Sequence, residues 1–242
     1  MTDPEMNDLL VKRFLRTQTF YGRASMKISA QWKQWSWRAV VSFAFFLKRT
    51  FDIIASCMFL LVSSPLFFII AALIKIEDRG PVFFPQTRVG RYGREFKMWK
   101  FRSMCINAEA KIQTVLDKNQ HKDGVTFKIK NDPRITKIGK WMRKFSLDEF
   151  PQFFNVLTGD MSLVGPRPPV PREVARYTLA DRRRLAVPPG ITCFWQVGGR
   201  SEIDFRGQVQ LDLRYIESQS FWLDIKILLQ TIPAVLLSKG AY

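Results

Sequence analysis

Residues 53–74 run for 22 positions without a charged side chain, rich in Ile, Leu, Phe, Ala and Val. As one helix they would extend about 33 Å, enough to cross a hydrocarbon core of ~30 Å. Ser63-Ser64-Pro65 stands at the centre of this run. Proline there removes an i to i−4 hydrogen bond and strikes the carbonyl of Leu61, costing roughly 3 kcal/mol in a regular helix. Ser63 and Ser64 are placed to satisfy the freed carbonyl, as hydroxyls do in spanning helices. Two arrangements stay open: a bent helix that spans, or a helix-break-helix that enters and leaves on one face.

The flanks bear on that choice. Residues 1–50 hold nine Lys/Arg against three acids, and the remainder also carries a positive excess, so the positive-inside rule disfavours moving either side across a membrane. Trp32, Trp35 and Trp37 interleave with Lys33 and Arg38 ahead of the apolar residues 39–47. That mixture suits a headgroup layer, with an amphipathic helix packed on the domain as the plainer reading. The apolar run begins too late for a cleavable signal peptide, and no small-residue cleavage site follows it.

Beyond Lys75 the pattern shortens. Residues 81–87 and 94–102 read as two strands around the glycine-containing turn 89–93. Met104, Ala108, Ile112 and Val115 recur at helical spacing through about residue 118, and a polar loop follows over 119–134 with a short strand at 125–129. Ile135, Ile138, Trp141, Met142 and Phe145 mark an amphipathic helix. Ser146-Leu147-Asp148-Glu149 ahead of an apolar stretch predicts a capping box, with Ser146 at the N-cap and Glu149 at N3. A proline-rich loop over 158–171, a basic helix over 172–186 and a Gly/Pro loop over 188–200 come next. Ser201 is placed to cap a further helix, and residues 221–237 form an apolar segment expected to break at Pro233.

Composition narrows the chemistry. The chain of 242 residues has 38 Lys+Arg against 21 Asp+Glu, a net charge of +17, which calls for anionic partners: nucleic acid, phospholipid or phosphorylated small molecules. A hydrophobic share of 47% rules out a disordered tail. Three widely spaced cysteines, Cys57, Cys105 and Cys193, argue against a disulfide framework or zinc ribbon. The single histidine, His121, lies in a polar run that reads as an exposed loop and nearly excludes multi-histidine metal sites. Catalysis must then run on carboxylates, arginines and lysines.

Asp148-Glu149 is the acidic pair set between basic and apolar neighbours. The two serve either as first-turn acids complementing a helix dipole, or as working groups in which a helix N-terminus with Arg143 and Lys144 nearby keeps Asp148 ionised and usable as a nucleophile or metal ligand. Paired carboxylates also suit Mg²⁺, which takes one or two of them and completes its shell with phosphate and water. Arg167, between prolines in Gly165-Pro166-Arg167-Pro168-Pro169, loses little entropy on meeting a phosphate, though a solvated arginine in a stiff turn has the same pattern. Lys100 and Arg102 are either substrate contacts or the polar face of a strand. Gln196 and Arg200 lie in a loop whose glycines allow close ligand approach.

Read in order, these pieces resemble the bacterial sugar transferase family, the monotopic phosphoglycosyl transferases. The matching elements are Lys48-Arg49-Thr50-Phe51-Asp52 leading into the apolar run with central Ser64-Pro65; Gly80-Pro81-Val82-Phe83-Phe84 with Gln86, Arg88 and Gly90; and Lys100-Phe101-Arg102-Ser103-Met104. Then follow Leu147-Asp148-Glu149-Phe150-Pro151-Gln152, the stretch 155–168 ending Gly165-Pro166-Arg167-Pro168, Pro189-Gly190-Ile191-Thr192 with Gln196-Val197, and Leu223-Asp224-Ile225-Lys226-Ile227-Leu228. The resemblance covers residues 48–242. Cys193 stands where the family usually has glycine, and Gly198 where Ser or Asn is usual. Both departures lie in the donor loop and bear on sugar preference.

The resemblance implies an α+β, helix-rich monotopic membrane protein. Residues 1–47 form a basic, Trp-containing extension, 48–79 a re-entrant helix broken at Ser64-Pro65, and 80–242 a cytoplasmic catalytic domain with interfacial helices. It implies a location at the bacterial inner (cytoplasmic) membrane. The donor is a nucleoside diphosphate sugar, first of all a UDP-hexose, with Mg²⁺ as cofactor. Asp148 attacks the sugar-bearing phosphate, UMP leaves, and polyprenyl (undecaprenyl) phosphate takes the sugar phosphate from the aspartyl intermediate. Glu149 serves the metal; Lys100, Arg102, Arg143, Arg167, Gln196 and Arg200 bind substrate. Membrane lipids are partners, nucleic acid is not, and homo-oligomerisation is left open. The competing expectations are a glycosyltransferase that moves sugar alone and releases UDP, and a non-enzymatic basic protein that binds membranes or nucleic acid.

Overall fold

The computed structural model describes residues 3–108, 110, 132–198 and 203–236. The chain divides into two units, Met1–Lys48 and Arg49–Tyr242. In the first, α1 (Asp3–Gln18) precedes the opening turns of α2 (Phe20–Asp78). Trp32 and Trp35 stack there at 5.7 Å, and with Trp37 they stand exposed.

In the second unit, the part of α2 from Arg49 onward carries the long apolar run. It belongs to the one helix, among the described residues, long and apolar enough to cross a membrane. It presents a single buried stripe. Asp52, Ser56, Ile70 and Ile74 are buried, and offsets of 4, 18 and 22 residues bring all four within about 40° of one another at 3.6 residues per turn. Phe59 and Phe67 extend the stripe. Phe59 stacks on Phe153 at 3.8 Å and meets Phe150 edge-on at 4.8 Å; Phe67 meets Phe101 at 4.9 Å. The other side, with Ile54, Met58, Leu61, Val62, Phe68 and Ile69, is exposed.

Polar anchors hold both ends of the stripe to the same unit. Arg49 donates to the carbonyls of Val156 (2.5 Å) and Leu157 (2.9 Å), and the Leu163 amide donates to Asp52 Oδ1 at 3.2 Å. At the far end Glu77 Oε1 accepts from the amides of Lys137 (2.8 Å) and Ile138 (3.3 Å), while Asp78 pairs with Arg102. The expected break at Ser64-Pro65 does not form: α2 runs through Pro65. Proline leaves the Leu61 carbonyl without its amide donor, and the Ser64 hydroxyl donates to that oxygen at 2.8 Å. Ser63 likewise donates to Phe59 O at 2.6 Å.

The two expected strands form an antiparallel hairpin, β1 (Phe83–Val89) with β2 (Glu95–Phe101), joined by a turn in which Tyr92 and Gly93 take positive φ. Alternation sends Phe96 and Met98 into a core with Val156, Met161, Leu163, Val164, Tyr215 and Ile227, while Phe101 enters a second cluster with Ile70, Ile74 and Met142. The helix predicted from Ile135 is α3 (Lys137–Lys144), capped by Thr136, whose hydroxyl accepts from the Gly139 amide at 2.9 Å.

Several expectations are corrected. The capping box at Ser146 does not form. Ser146 takes φ 55 with no side-chain cap, Leu147–Glu149 make a 3₁₀ turn, and α4 (Gln152–Thr158) begins after Pro151. The Glu149 carboxylate goes to a lysine instead. Within the loops expected over 158–171 and 188–200, two short strands pair in parallel, β3 (Ser162–Val164) and β4 (Gly190–Thr192). The basic helix over 172–186 is split into α5 (Pro171–Val174), α6 (Leu179–Arg182) and a 3₁₀ turn over Arg183–Ala186, because Thr178 starts a fresh capping box with Asp181. Helix α7 (Phe194–Gly198) follows β4; α8 (Phe205–Ser218) is capped by Asp204, and α9 (Phe221–Leu236) continues through Pro233. The helix expected over 103–118 is a turn at its described start, where Met104 bridges to Ile135. The rest of that helix, the 125–129 strand, His121, Arg200 and Ser201 lie outside the described residues.

Candidate active site

The hairpin register builds one side of a pocket. Arg88 lies opposite Phe96, Gln86 opposite Met98 and Phe84 opposite Lys100, so Arg88, Met98 and Lys100 share a face of the two-stranded sheet. Asn155 fixes this strand to α4: its carbonyl oxygen accepts from the Trp99 amide at 2.9 Å and its amide donates to Lys97 O at 2.8 Å.

The opposite side is the loop carrying Arg167. A side chain on Gly190 would come within 2.1 Å of the Gly165 nitrogen, and one on Gly165 within 2.6 Å of the Pro188 carbonyl. The two glycines therefore serve the crossing of two backbone segments, rather than ligand approach alone. The Gly165 amide donates to Thr192 O (3.0 Å) and the Gly190 amide to Pro166 O (2.9 Å). From the hairpin, the Val89 amide donates to Pro169 O (2.9 Å) and Arg88 Nη1 to Pro168 O (2.8 Å). The segment Pro166-Arg167-Pro168 is clamped from both sides.

Between them lies a polar recess lined by Arg88, Met98, Lys100, Glu149, Gln152, Arg167, Pro168, Gly190, Ile191 and Gln196. Four residues singled out in the sequence meet here: Lys100, Glu149, Arg167 and Gln196. Lys100 Nζ donates to Glu149 Oε1 at 2.7 Å. Gln196 is held by the thiol of Cys193, which donates to its Oε1 at 3.2 Å; Cys193 is buried, and burial pushes its thiol up.

Asp148 adjoins this recess on the 3₁₀ turn and is 8% exposed. Burial raises its carboxyl above the usual range; Lys100 and Arg143 pull it back down, while Glu149 adds to the rise. Glu149 goes the other way. Burial would raise it, but the charge and hydrogen bond of Lys100, with Arg167 and Arg88 behind, leave it below the ordinary value. The expectation that cations keep Asp148 easily ionised is therefore modified: burial outweighs them at Asp148, and the cations act chiefly on Glu149. Arg143 donates from Nε to Ser103 Oγ at 2.9 Å, and burial lowers its guanidinium against the pull of Asp148.

Arg102 is not brought to the recess. It lies one residue past β2, ion-paired with Asp78, and passes so close to Gly80 that a side chain there would overlap its guanidinium. Gly198, at the end of α7, faces open space.

Arg88 and Gln152 were not singled out as site residues. Arg88 is buried, with Gln86 Oε1 and Pro168 O as partners and no ion pair among the described residues; burial and then the neighbouring Arg167 bring it down to about 10, still charged at neutral pH. Its signal was in the sequence, since Arg88 is even-spaced from Gln86 on a strand whose partner carries Lys100 at the matching parity. Gln152, 3% exposed at the start of α4, had none beyond its place four residues after Asp148.

A recess with three cations, a carboxylate on one of them and a second carboxyl held buried at its edge is built for phosphate esters and for chemistry on them. The model for bacterial sugar transferases matches residues 43–238, and the chain belongs to that family. It is 45% identical over 227 residues to a galactosyl transferase, CpsE, of Streptococcus agalactiae serotype III, covering 93% of this chain and 49% of that protein. It is 45% identical over 203 residues to the undecaprenyl-phosphate galactose phosphotransferase of Salmonella typhimurium, covering 81% of this chain and 42% of that one. With the exopolysaccharide production protein ExoY of Rhizobium meliloti it shares 41% identity over 198 residues, 81% of this chain and 88% of that protein. The chain thus spans about half the length of the first two relatives and most of the third.

Proposed function

We propose that the protein transfers hexose-1-phosphate from a nucleoside diphosphate sugar, a UDP-hexose, to polyprenyl phosphate of the undecaprenyl type, beginning the assembly of an exopolysaccharide or glycoconjugate. The carrying observation is Asp148: a buried carboxyl beside Lys100 and Arg143, at the edge of a recess that also holds Arg88 and Arg167. The Salmonella relative, an undecaprenyl-phosphate galactose phosphotransferase, supports the acceptor, and the Rhizobium relative, an exopolysaccharide production protein, supports the pathway class. In the proposed first step an Asp148 oxygen forms a bond to the sugar-bearing phosphorus, the bond to the bridging oxygen breaks, and UMP leaves with that oxygen. In the second, an oxygen of polyprenyl phosphate attacks the same phosphorus and Asp148 leaves as its carboxylate. Arg88, Arg143 and Arg167 neutralise the donor's charge, and Gln196 and Gln152 present amides to it.

Mg²⁺ is proposed to bind at Glu149. Glu149 lines the recess and spends one oxygen on Lys100, which leaves capacity for a cation that takes few protein carboxylates and keeps phosphate oxygens and water in its shell. Bound there, the metal supplies charge stabilisation to the donor phosphates.

The apolar segment of α2 is proposed to lie in the cytoplasmic leaflet and to return to the face it entered. Its anchors, Arg49 and Asp52 at one end and Glu77 and Asp78 at the other, all bind the unit that carries the recess. A helix that crossed would have one set on the far side. Its exposed apolar side would meet acyl chains, bringing a lipid acceptor to a site that a charged donor reaches from water.

The test is a donor screen on the purified protein with Mg²⁺ and polyprenyl phosphate, UDP-galactose and UDP-glucose first, identifying the nucleotide released. UMP is expected. UDP would instead mean transfer of the sugar alone, and turnover of no donor would overturn the reading.

A further inference from the structure

Behind Arg167 the protein buries a charge pair that does not line the recess. Arg184 and Asp212, 4% and 1% exposed, are ion-paired, and Arg184 Nη1 donates to the Tyr177 hydroxyl at 3.0 Å. Such a pair adds little stability, because desolvating two ions offsets most of their attraction and apolar residues of similar volume would serve as well. What it provides is orientation. Arg184 engages Asp212 Oδ2, while Oδ1 is buried without a hydrogen-bond partner. The indole Nε1 of Trp195 is buried in the same condition. Trp195 on α7 and Asp212 on α8 belong to helices that pack against each other; burial raises the Asp212 carboxyl to about 6, while Arg184 and the Trp195 N–H pull against that rise. Over the Trp195 ring, at 5.8 Å from its centroid, lies the guanidinium of Arg167, within the range of a cation–π attraction.

We propose that Asp212 is a positioning residue for the phosphate-binding side of the recess. It holds the Trp195 indole by its N–H, and the indole face sets the Arg167 guanidinium. Trp195 is followed directly by Gln196, so the same hold reaches two lining residues through one short helix. Arg184 fixes the carboxylate so that Oδ1 is left for the indole. The inference rests on the reading of the recess as a nucleoside diphosphate sugar site, and its test separates the two.

The experiment measures the dissociation constant of UDP, with Mg²⁺, for the full-length chain and for Trp195→Phe, Asp212→Asn, Arg167→Ala and the doubles Trp195→Phe/Arg167→Ala and Asp212→Asn/Arg167→Ala. Trp195→Phe keeps an aromatic face and loses the N–H together with the fused five-membered ring that carries it. Each of Trp195→Phe and Asp212→Asn is expected to weaken UDP by about three- to tenfold, and to change it less than about twofold once Arg167 is already alanine, since residues acting through one another are non-additive. A merely structural role would weaken binding equally in both backgrounds, and that additivity would overturn the proposal. So would a Trp195→Phe protein that binds as tightly as the parent, or an Arg167→Ala protein that does. Should Asp212→Asn fail to fold, the Trp195→Phe cycle decides alone. A parent protein that does not bind UDP would remove the donor reading and this inference with it.

Discussion

Lys100 Nζ lies 2.7 Å from Glu149 Oε1, joining the last recess-facing position of a β-strand to a 3₁₀ turn. The bond explains why two adjacent carboxyls diverge, with Asp148 raised by burial and Glu149 held down by the lysine. Groups pushed apart in this way take different roles in proton and phosphoryl chemistry. If Asp148 must be ionised to attack, kcat/KM falls as pH drops through its raised value, above the ordinary carboxylate range. Lys100→Met removes the cation that lowers both carboxyls, so the acidic limb is expected to move to higher pH, with a loss of about 10²-fold in kcat/KM at neutral pH. Lys100→Arg should shift the limb less. A pH–rate profile of the three proteins checks this.

Asp148→Asn should abolish UMP release and transfer while leaving membrane association unchanged. Its stability is expected to move the other way. A carboxyl raised in the folded state favours folding while protonated and loses that contribution as pH rises through the folded value, so at neutral pH the ionised form is a burden that asparagine removes. Thermal unfolding at pH 7 should give a midpoint equal to or above the parent's. Mass spectrometry of parent protein mixed with donor alone should find a hexose-phosphate adduct on Asp148.

Gly190→Ala and Gly198→Ala should separate cleanly. The first places a methyl 2.1 Å from the Gly165 nitrogen, forcing apart the segments that deliver Arg167; loss of at least ~2 kcal/mol and of donor binding is expected. The second meets nothing within 4 Å on a helical residue and should be neutral or gain about 0.5–1 kcal/mol. Denaturant unfolding of both variants is the measurement.

Chelation by EDTA should stop transfer, and added Mg²⁺ should restore it. Glu149→Gln should raise the Mg²⁺ concentration needed for half-maximal rate, in a titration at fixed donor.

Leu10→Cys and Gln120→Cys, in a chain whose native cysteines are replaced, should react with an impermeant thiol reagent from the same side of sealed vesicles. Labelling from opposite sides would mean that α2 spans.

Much of the site was legible because its chemistry follows local spacing. Lys100 follows Met98 and Phe96 at period two, and that alternation carries it to the recess. Asp148, Glu149 and Arg167 sit in short motifs whose residue types announce anion chemistry. Arg102 shares the parity of Lys100 but lies beyond the strand's end, where the pleat no longer sets direction and Asp78 of a distant helix claims it. The parallel pairing of β3 with β4 depends on contact between segments 28 residues apart in sequence, and three-residue strands leave no periodicity to read. The capping box at Ser146 failed for a similar reason: the motif is local, but its glutamate had a stronger partner 49 residues away. Proline predicts breaks at 65 and 233 that do not form; at the first, a neighbouring hydroxyl supplies what the ring removes.

Asp52 and Glu77 are 25 residues apart, within a fraction of a residue of seven full helical turns. Both clasps therefore point the same way. Adding or deleting one residue between them would swing one clasp by about 100° and slide it 1.5 Å, tearing it from its partners whatever the new side chain. This stretch can drift freely in the identity of its outward residues, yet its length is locked like the pitch of a screw already threaded at both ends.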